Sequence, residues 1–264
     1  MLLVQMSDLH VLAPGRQLSG IVDTGRLLAE AVAAVRALDP QPDAILLSGD
    51  LVDTGQAEEY QHLRQLLAPL NLPVYVIPGN HDAIANLRDA FADHPYLPAH
   101  GRLNWVVEDF PVRLIGLDSS VAGHSDGCLG DETLRWLDDT LAAAPDRPTL
   151  VALHHPPFPT GIRHMDRIGL QDANALRAVI SRHPQVERLL SGHVHRAVQT
   201  RFAGTLASAC PSTAHQIEFN LNDQHRGGFI MEPPAFQVHA WTAAAGLVSH
   251  LVPVGHFSGP HRFN

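Results

Sequence analysis

The chain has no lysine. All 18 of its basic residues are arginine, and they face 27 acids, for a formal net charge of −9. A protein that wraps polymeric nucleic acid needs a basic stripe to displace counterions from phosphates. None is present, so polymeric nucleic acid is not an expected partner. Cysteine is almost as scarce: Cys128 and Cys210 are the two, far apart in sequence. That is too few for a disulfide scaffold, and free thiols in a reducing compartment are expected. No apolar run approaches the roughly 20 residues needed to span a membrane. The first residues, Met1-Leu2-Leu3-Val4-Gln5-Met6, lack the basic region of a signal peptide and read directly as a strand. The expectation is a cytoplasmic protein with no membrane partner. The remaining composition is that of a globular protein: 264 residues, 45% hydrophobic, with 20 Gly and 20 Pro. This is enough for one large domain with a substantial core.

What the chain has in excess is histidine, 18 in all, as many as its full positive charges. If it handles phosphate, something other than lysine must supply positive charge, and histidine-held metal is the evident source. The position of the histidines therefore matters more than their number.

Over the first two hundred residues one rhythm repeats: a short apolar run, a polar cluster, then often a stretch of helical period. Leu2–Met6 runs into Ser7-Asp8-Leu9-His10, and Ala44–Leu47 into Ser48-Gly49-Asp50. Val74–Ile77 runs into Pro78-Gly79-Asn80-His81-Asp82, and Leu150–Leu153 into His154-His155-Pro156-Pro157. Val186–Leu190 runs into Ser191-Gly192-His193-Val194-His195. Arg113–Leu117 is a further run, ending at Asp118. Helical periodicity marks Gly25–Leu38, Ala57–Leu70, Ile84–Phe91, Asp131–Ala143 and Asp172–His183. Strands alternating with helices in this way predict an α/β fold with largely parallel strands. After about Ala197 the chain becomes strand- and loop-rich. Residues 1–210 are read as the core and 211–264 as closing strands plus a C-terminal extension of the same domain.

Each polar cluster begins where a strand stops, and the carboxyl ends of strands in open α/β sheets share one ligand-binding edge. Asp8, His10, Asp50, Asn80, His81, His154, His193 and His195 are thus expected to converge. This is an imidazole, carboxylate and amide set without thiolate, suited to Mn, Fe, Co or Zn. It exceeds what one tetrahedral ion needs and suits two neighbouring ions. In Asp8-Leu9-His10 and His193-Val194-His195, the i,i+2 spacing places both side chains on one side of an extended segment.

These blocks, in this order, resemble the pattern D-x-H, G-D, G-N-H-(D/E), H, G-H-x-H of the calcineurin-like metallophosphoesterases. The resemblance spans about residues 1–200. It implies an α/β sandwich of two mixed sheets flanked by helices, with a β-rich C-terminal extension, and two divalent metal ions per chain, Fe or Mn first and Zn or Co next. By the same pattern Asp8, His10 and His195 hold one ion, Asn80, His154 and His193 the other, and Asp50 bridges them. His81 faces the substrate phosphate as the catalytic group, with Asp82 orienting it, and hydroxide activated by the metals attacks phosphorus in line.

Two positions separate the chain from particular branches. Purple acid phosphatases carry Tyr where Asp53 stands, and serine/threonine protein phosphatases carry Arg where Thr54 stands. Other stretches resemble bacterial class III cyclic nucleotide phosphodiesterases and the related glycerophosphodiesterases: Gly116-Leu117-Asp118-Ser119-Ser120, Gly123-His124, Met165-Asp166 and Thr213-Ala214-His215-Gln216. That resemblance implies hydrolysis of small phosphodiesters, cyclic nucleotides such as cAMP first. Glycerophosphodiesters or a broader phosphoester range are the alternative, and a non-catalytic metal-binding scaffold is the reading from another class. It also implies a homo-oligomer with C-terminal segments in the interface. His155, His124, His164, Asp166 and His215 are the candidates for lining the substrate cleft. Nine histidines, among them His183, His225, His239 and His250, have no spacing that assigns a role.

Overall fold

Two β-sheets face each other, and their order follows from which faces of the strands are apolar. In this computed structural model, residues 1–224 and 226–263 are described; His225 lies outside them. The first sheet contains β1 (Leu2–Met6), β2 (Ala44–Ser48) and β3 (Val74–Ile77), followed late in the chain by β12 (Ala235–Thr242) and β13 (Gly246–Pro253). Its order is β13-β12-β1-β2-β3, with β1, β2 and β3 parallel and β12 and β13 antiparallel. The second sheet holds β4 (Trp105–Val107), β5 (Arg113–Leu117), β6 (Thr149–Leu153), β7 (Val186–Ser191), β8 (Val198–Phe202) and β9 (Thr205–Ala209). Its order is β4-β5-β6-β7-β9-β8, parallel except at its two outer pairs. A small hairpin joins β10 (Gln216–Ile217) to β11 (Phe229–Ile230).

Strand alternation sorts the core into three layers. From β1 and β2, Val4, Met6, Ile45 and Leu47 point outward, under α1 (Thr24–Arg36), α2 (Ala57–Leu67) and α3 (Ile84–Ala90). From β5 and β6, Ile115, Leu117, Val151 and Leu153 point to α4 (Gly130–Ala142) and α6 (Ala173–Ile180), with the short α5 (Arg163–Asp166) between them in sequence. Between the sheets lie Leu3, Leu46, Ile77, Trp105, Leu114, Leu150 and Leu190. The result is the expected mixed α/β sandwich flanked by helices.

Local sequence explains the helices. In α1 the residues Leu27, Leu28, Ala31, Val32 and Val35 fall on one buried stripe, and the Asp23 carboxylate caps the start by accepting from the Arg26 N–H at 3.0 Å. In α2 a capping box joins Gln56 and Glu59. The segment 211–264 does more than follow the core. β12 inserts beside β1, pairing Leu3 with His239 and Gln5 with Gln237, so part of that segment lies inside the first sheet.

Two short elements were not legible. β4 is only three residues long, too few for a period, and its Trp105 is the cross-sheet tie: the indole N–H donates to the Val76 carbonyl of the opposite sheet at 2.8 Å. The other is β10, a strand of two residues; its hairpin partner β11 falls within the apolar run Phe229–Met231, which reads as a strand. No helix among the described residues is long and apolar enough to cross a membrane.

Gly116 lies beneath that indole, and a Cβ there would sit 2.2 Å from Trp105 Cε2. Gly116→Ala is expected to lower stability by about 1–3 kcal/mol through overpacking, read as a shifted urea-unfolding midpoint.

Candidate metal centre

All seven parallel strands end on the same edge, and the loops leaving β1, β2, β3, β6 and β7 bring the predicted residues together. Asp8, His10, Asp50 and His195 place ligand atoms within 4.8 Å of one another, as do His154, His155 and His193. Asp8, His154, His193 and His195 are all buried.

The convergence of the i,i+2 pairs has a different cause from strand alternation. Asp8, His10, Asp50, His193 and His195 all take positive φ, at 53, 46, 49, 70 and 49°. The chain has already left the strand and curls through left-handed turns. Backbone bonds from Asp8 N to Gly49 O and from His10 N to Asp50 O, each 3.0 Å, hold two of these loops side by side. Asp and His tolerate this region better than most residues. The motif glycines keep the loops close: a Cβ on Gly192 would lie 2.0 Å from Ser7 Oγ, and one on Gly79 2.2 Å from Asp50 Oδ1.

Hydrogen bonds fix how each ring faces. His10 Nδ1 lies 3.1 Å from Asp53 Oδ1, His195 Nδ1 donates to the His215 carbonyl at 2.9 Å, and His154 Nδ1 donates to the Ser48 carbonyl at 2.9 Å. With Nδ1 protonated in each, Nε2 presents a lone pair inward, the arrangement that orients metal-binding imidazoles. His10 Nε2 and His195 Nε2 then face each other at 3.1 Å. On the other side, Asn80 Oδ1, His154 Nε2 and His193 Nε2 are buried without any hydrogen-bond partner. Orphaned acceptors in a dry interior are costly unless something positive joins them. These are the atoms that a pair of cations would satisfy, so the residues present fit a binuclear metal site.

The electrostatics point the same way. Burial, reinforced by Asp50 and opposed by His154 and His10, pushes the Asp8 carboxyl up to about 6. Burial works to raise Asp50 too, but His154, His10 and His81 outweigh it and hold that carboxyl well below its usual range. Burial disfavours charge on His154, yet Asp50 and Asp8 overcome it and lift the ring to about 9. Burial and neighbouring rings push His193 well down and His195 to about 3. The carboxylates thus draw positive charge into the cluster, while two of its rings, His193 and His195, offer bare lone pairs.

His81 differs from the rest, with a side chain 40% exposed. Its N–H donates to Asp50 Oδ1 at 2.8 Å, its Nδ1 donates to the Asp53 carbonyl at 2.7 Å, and its ring meets that of His10 edge-on at 4.7 Å. It borders a cavity of about 530 Å³, lined also by Thr54, Asn80, Arg102, Asp118 and Ser120. Asp82 does not orient it. The Asp82 carboxylate accepts from Gly79 N, Leu51 N and Tyr60 OH, and so fixes the loop. Asp53 is the residue missed: one side chain and its own carbonyl position both His10 and His81.

The cleft candidates divide. His155 is a correction: it is fully buried behind His154 and His193, with Nδ1 on Ser119 Oγ and Nε2 on the Ser125 carbonyl, so it supports the ligands and does not line a cleft. His124 is another: it points to solvent beside Asp126, while its neighbours 120–123 border the cavity. His164 packs against Gly227. Asp166 accepts from Thr160 N, Thr160 Oγ1 and Gly161 N, which pins its own loop, though it borders a smaller cavity beside His193. His215 joins the site on its other flank, its ring 4.6 Å from that of His195 and pushed down to about 3 chiefly by burial.

A buried carboxylate–imidazole cluster at the shared edge of two facing sheets defines a metal-dependent hydrolase of the α/β-sandwich class. The chain belongs to the calcineurin-like phosphoesterase family, whose sequence model matches residues 1–197. A probable glycerophosphodiester phosphodiesterase of Arcobacter nitrofigilis is 38% identical over 264 residues, covering 100% of this chain and 97% of that relative. A 3',5'-cyclic-nucleotide phosphodiesterase of a Nostoc species is 33% identical, covering 96% of this chain and 94% of the relative. The 3',5'-cyclic adenosine monophosphate phosphodiesterase of Escherichia coli is 32% identical, covering 82% and 77%. A dimetal phosphatase from Danio rerio shares the fold at TM-score 0.65 and 13% identity, over 97% of this chain and 99% of its own.

Metal-stripped protein titrated with Mn²⁺ is expected to take up about two ions per chain, with a rise in melting temperature that a chelator reverses. Asp53→Ala should weaken that uptake roughly 10–100-fold, the usual cost of losing a partner that orients a ligand.

Proposed function

We propose that the chain hydrolyses small phosphodiesters with a pair of divalent cations. Asp8, His10 and His195 would hold one, Asn80, His154 and His193 the other, with Asp50 between them. Bound there, the ions would neutralise phosphate oxygens and acidify water to a pKa of roughly 7. The observation that carries the reading is the position of His81, the one partly open imidazole at the cluster, between buried ligand atoms and the cavity.

The chain's own part is positioning and proton delivery. With Nδ1 tied to the Asp53 carbonyl, His81 turns Nε2 towards the cavity, where a protonated ring can hand its proton to the departing alkoxide. His10 limits the swing of that ring by edge contact. Arg102 donates to the carbonyls of Asp118 and Ser120 and so holds the loop on the far wall of the cavity.

Among small diesters, two observations favour glycerol-type alcohols over cyclic nucleotides. The glycerophosphodiester phosphodiesterase relatives of Arcobacter nitrofigilis and Enterobacter lignolyticus are 38% and 35% identical to this chain, against 33% for the Nostoc cyclic-nucleotide phosphodiesterase, which also matches over nearly the whole chain. No phenyl, phenol or indole ring lies among the described residues lining the cavity, where a nucleobase would find a stacking surface. The cyclic-nucleotide reading keeps one observation of its own: Phe229 packs 5.1 Å from His215, on the other flank of the cluster.

Turnover of a glycerophosphodiester in Mn²⁺ is expected to exceed that of cAMP, and bis(p-nitrophenyl) phosphate should be cleaved faster than p-nitrophenyl phosphate. Faster monoester cleavage would sink the diesterase assignment. His81→Ala should lower kcat about 10²–10⁴-fold while metal analysis still finds the full complement of ions; loss of metal would make His81 a ligand instead.

We further propose a homo-oligomer. β13 is a free sheet edge, and it exposes Val248 and Leu251. Light scattering is expected to give at least a dimer, and Leu251→Asp to shift it towards monomer.

A further inference from the structure

Midway along β7, Arg188 points into the layer between the two sheets and is only 8% exposed. No carboxylate forms a salt bridge with it among the described residues, and the neighbouring Glu187 offsets the cost of its burial only in part. Its Nη1 donates to Ser249 Oγ, and its Nε is buried with nothing to bond. An unpaired guanidinium in the interior is expensive, because its hydration is lost without a counter-charge.

The neighbours do not neutralise it. His239 Nε2 bonds Gln5 Oε1 at 3.0 Å, and because that oxygen only accepts, Nε2 carries the ring proton. His239 Nδ1 must then accept from Ser249 Oγ at 2.7 Å, which spends the serine proton and leaves its oxygen to accept from Arg188. Ser249, His239 and Gln5 thus form a chain of neutral dipoles, satisfied among themselves.

Beside Arg188 opens a cavity of about 190 Å³, whose polar lining is Arg188, Gln199, Ser208, Gln237, Ser249 and His250. That is several times the roughly 30 Å³ share of one water. Two more of its buried polar atoms are orphaned, Ser208 Oγ and Gln237 Oε1. The strands that meet here are β7, β8, β9, β12 and β13, and the lining includes none of the residues of the metal cluster.

We infer that this cavity is a second ligand site, built for a small tetrahedral oxyanion of the hydrogen-phosphate type. The Arg188 guanidinium supplies the charge and, at Nε, one donor. Ser208 supplies a second donor. Gln237 Oε1 calls for a donor from the ligand, which the P–OH of hydrogen phosphate provides and a fully ionised sulfate does not. No carboxylate lines the cavity to oppose an anion.

Crystals of the metal-loaded protein soaked in arsenate test this, since arsenate shares the shape and protonation of phosphate and arsenic scatters anomalously. An arsenic peak is expected within hydrogen-bond reach of Arg188 Nε and Ser208 Oγ, in addition to any peak at the metal cluster. In solution, equilibrium dialysis of inorganic phosphate should show a site that Arg188→Gln weakens about 100-fold and Ser208→Ala about tenfold, with diester turnover unchanged. Ser208→Ala removes one hydroxyl only and keeps the test readable should Arg188→Gln fail to fold. Arsenic confined to the metal cluster with water in the cavity overturns the inference, and so does phosphate binding that neither substitution alters.

Discussion

The structure turns on a charge problem. Two carboxylates and four imidazoles from distant segments are packed into one dry volume, where an uncompensated charge or lone pair is expensive. Three ligand atoms are left without partners, and two ring nitrogens face each other at 3.1 Å. Such an arrangement is tolerable only where cations are meant to enter. Most of the polar bonding around it holds each lone pair in its place: Ser48 O behind His154, His215 O behind His195, Asp53 behind His10.

The sandwich provides that hold because both sheets end on one edge. The first contributes Asp8, His10, Asp50 and Asn80, the second His154, His193 and His195. Misalignment of the sheets would therefore separate the two halves of the cluster. Trp105 ties the outer strands across the gap, and Gln5 does so near the centre, its side-chain amide donating to Ser48 Oγ at 2.8 Å and to the Ser191 carbonyl at 3.0 Å. A buried glutamine with two donors committed to opposite sheets fixes register in a way that apolar contacts alone do not.

Much of this was legible in the residues, and the boundary is instructive. β1 and β3 end where their apolar runs end, since a buried strand is continuous in its chemistry, and the motif residues announce themselves by following those runs. Asp53 could not be read in this way. Its role depends on a carboxylate and a carbonyl reaching His10 and His81, residues 43 and 28 positions away, and nothing in its own neighbourhood marks it. Asp82, adjacent to His81, looked the better partner, yet adjacency in a tight loop turned its side chain towards the backbone instead. His155 next to His154 shows the same limit: neighbouring side chains diverge, one towards the ligand atoms and one behind them. Arg188 lies mid-strand, ahead of the motif that β7 leads into, and only the packing of five strands shows that it lacks a salt bridge.

The left-handed backbone at Asp8, His10, Asp50, His193 and His195 also bears on how the protein can evolve. A β-branched side chain at any of these positions pays in conformational strain before chemistry is considered. The accessible replacements narrow to asparagine, aspartate, histidine and glycine, of which three can still bind metal. Drift at these sites therefore tends to exchange one ligand for another or to delete it outright, and seldom to fill the centre with packed hydrocarbon. The backbone acts as a filter on mutation that protects the character of the site independently of selection on its activity.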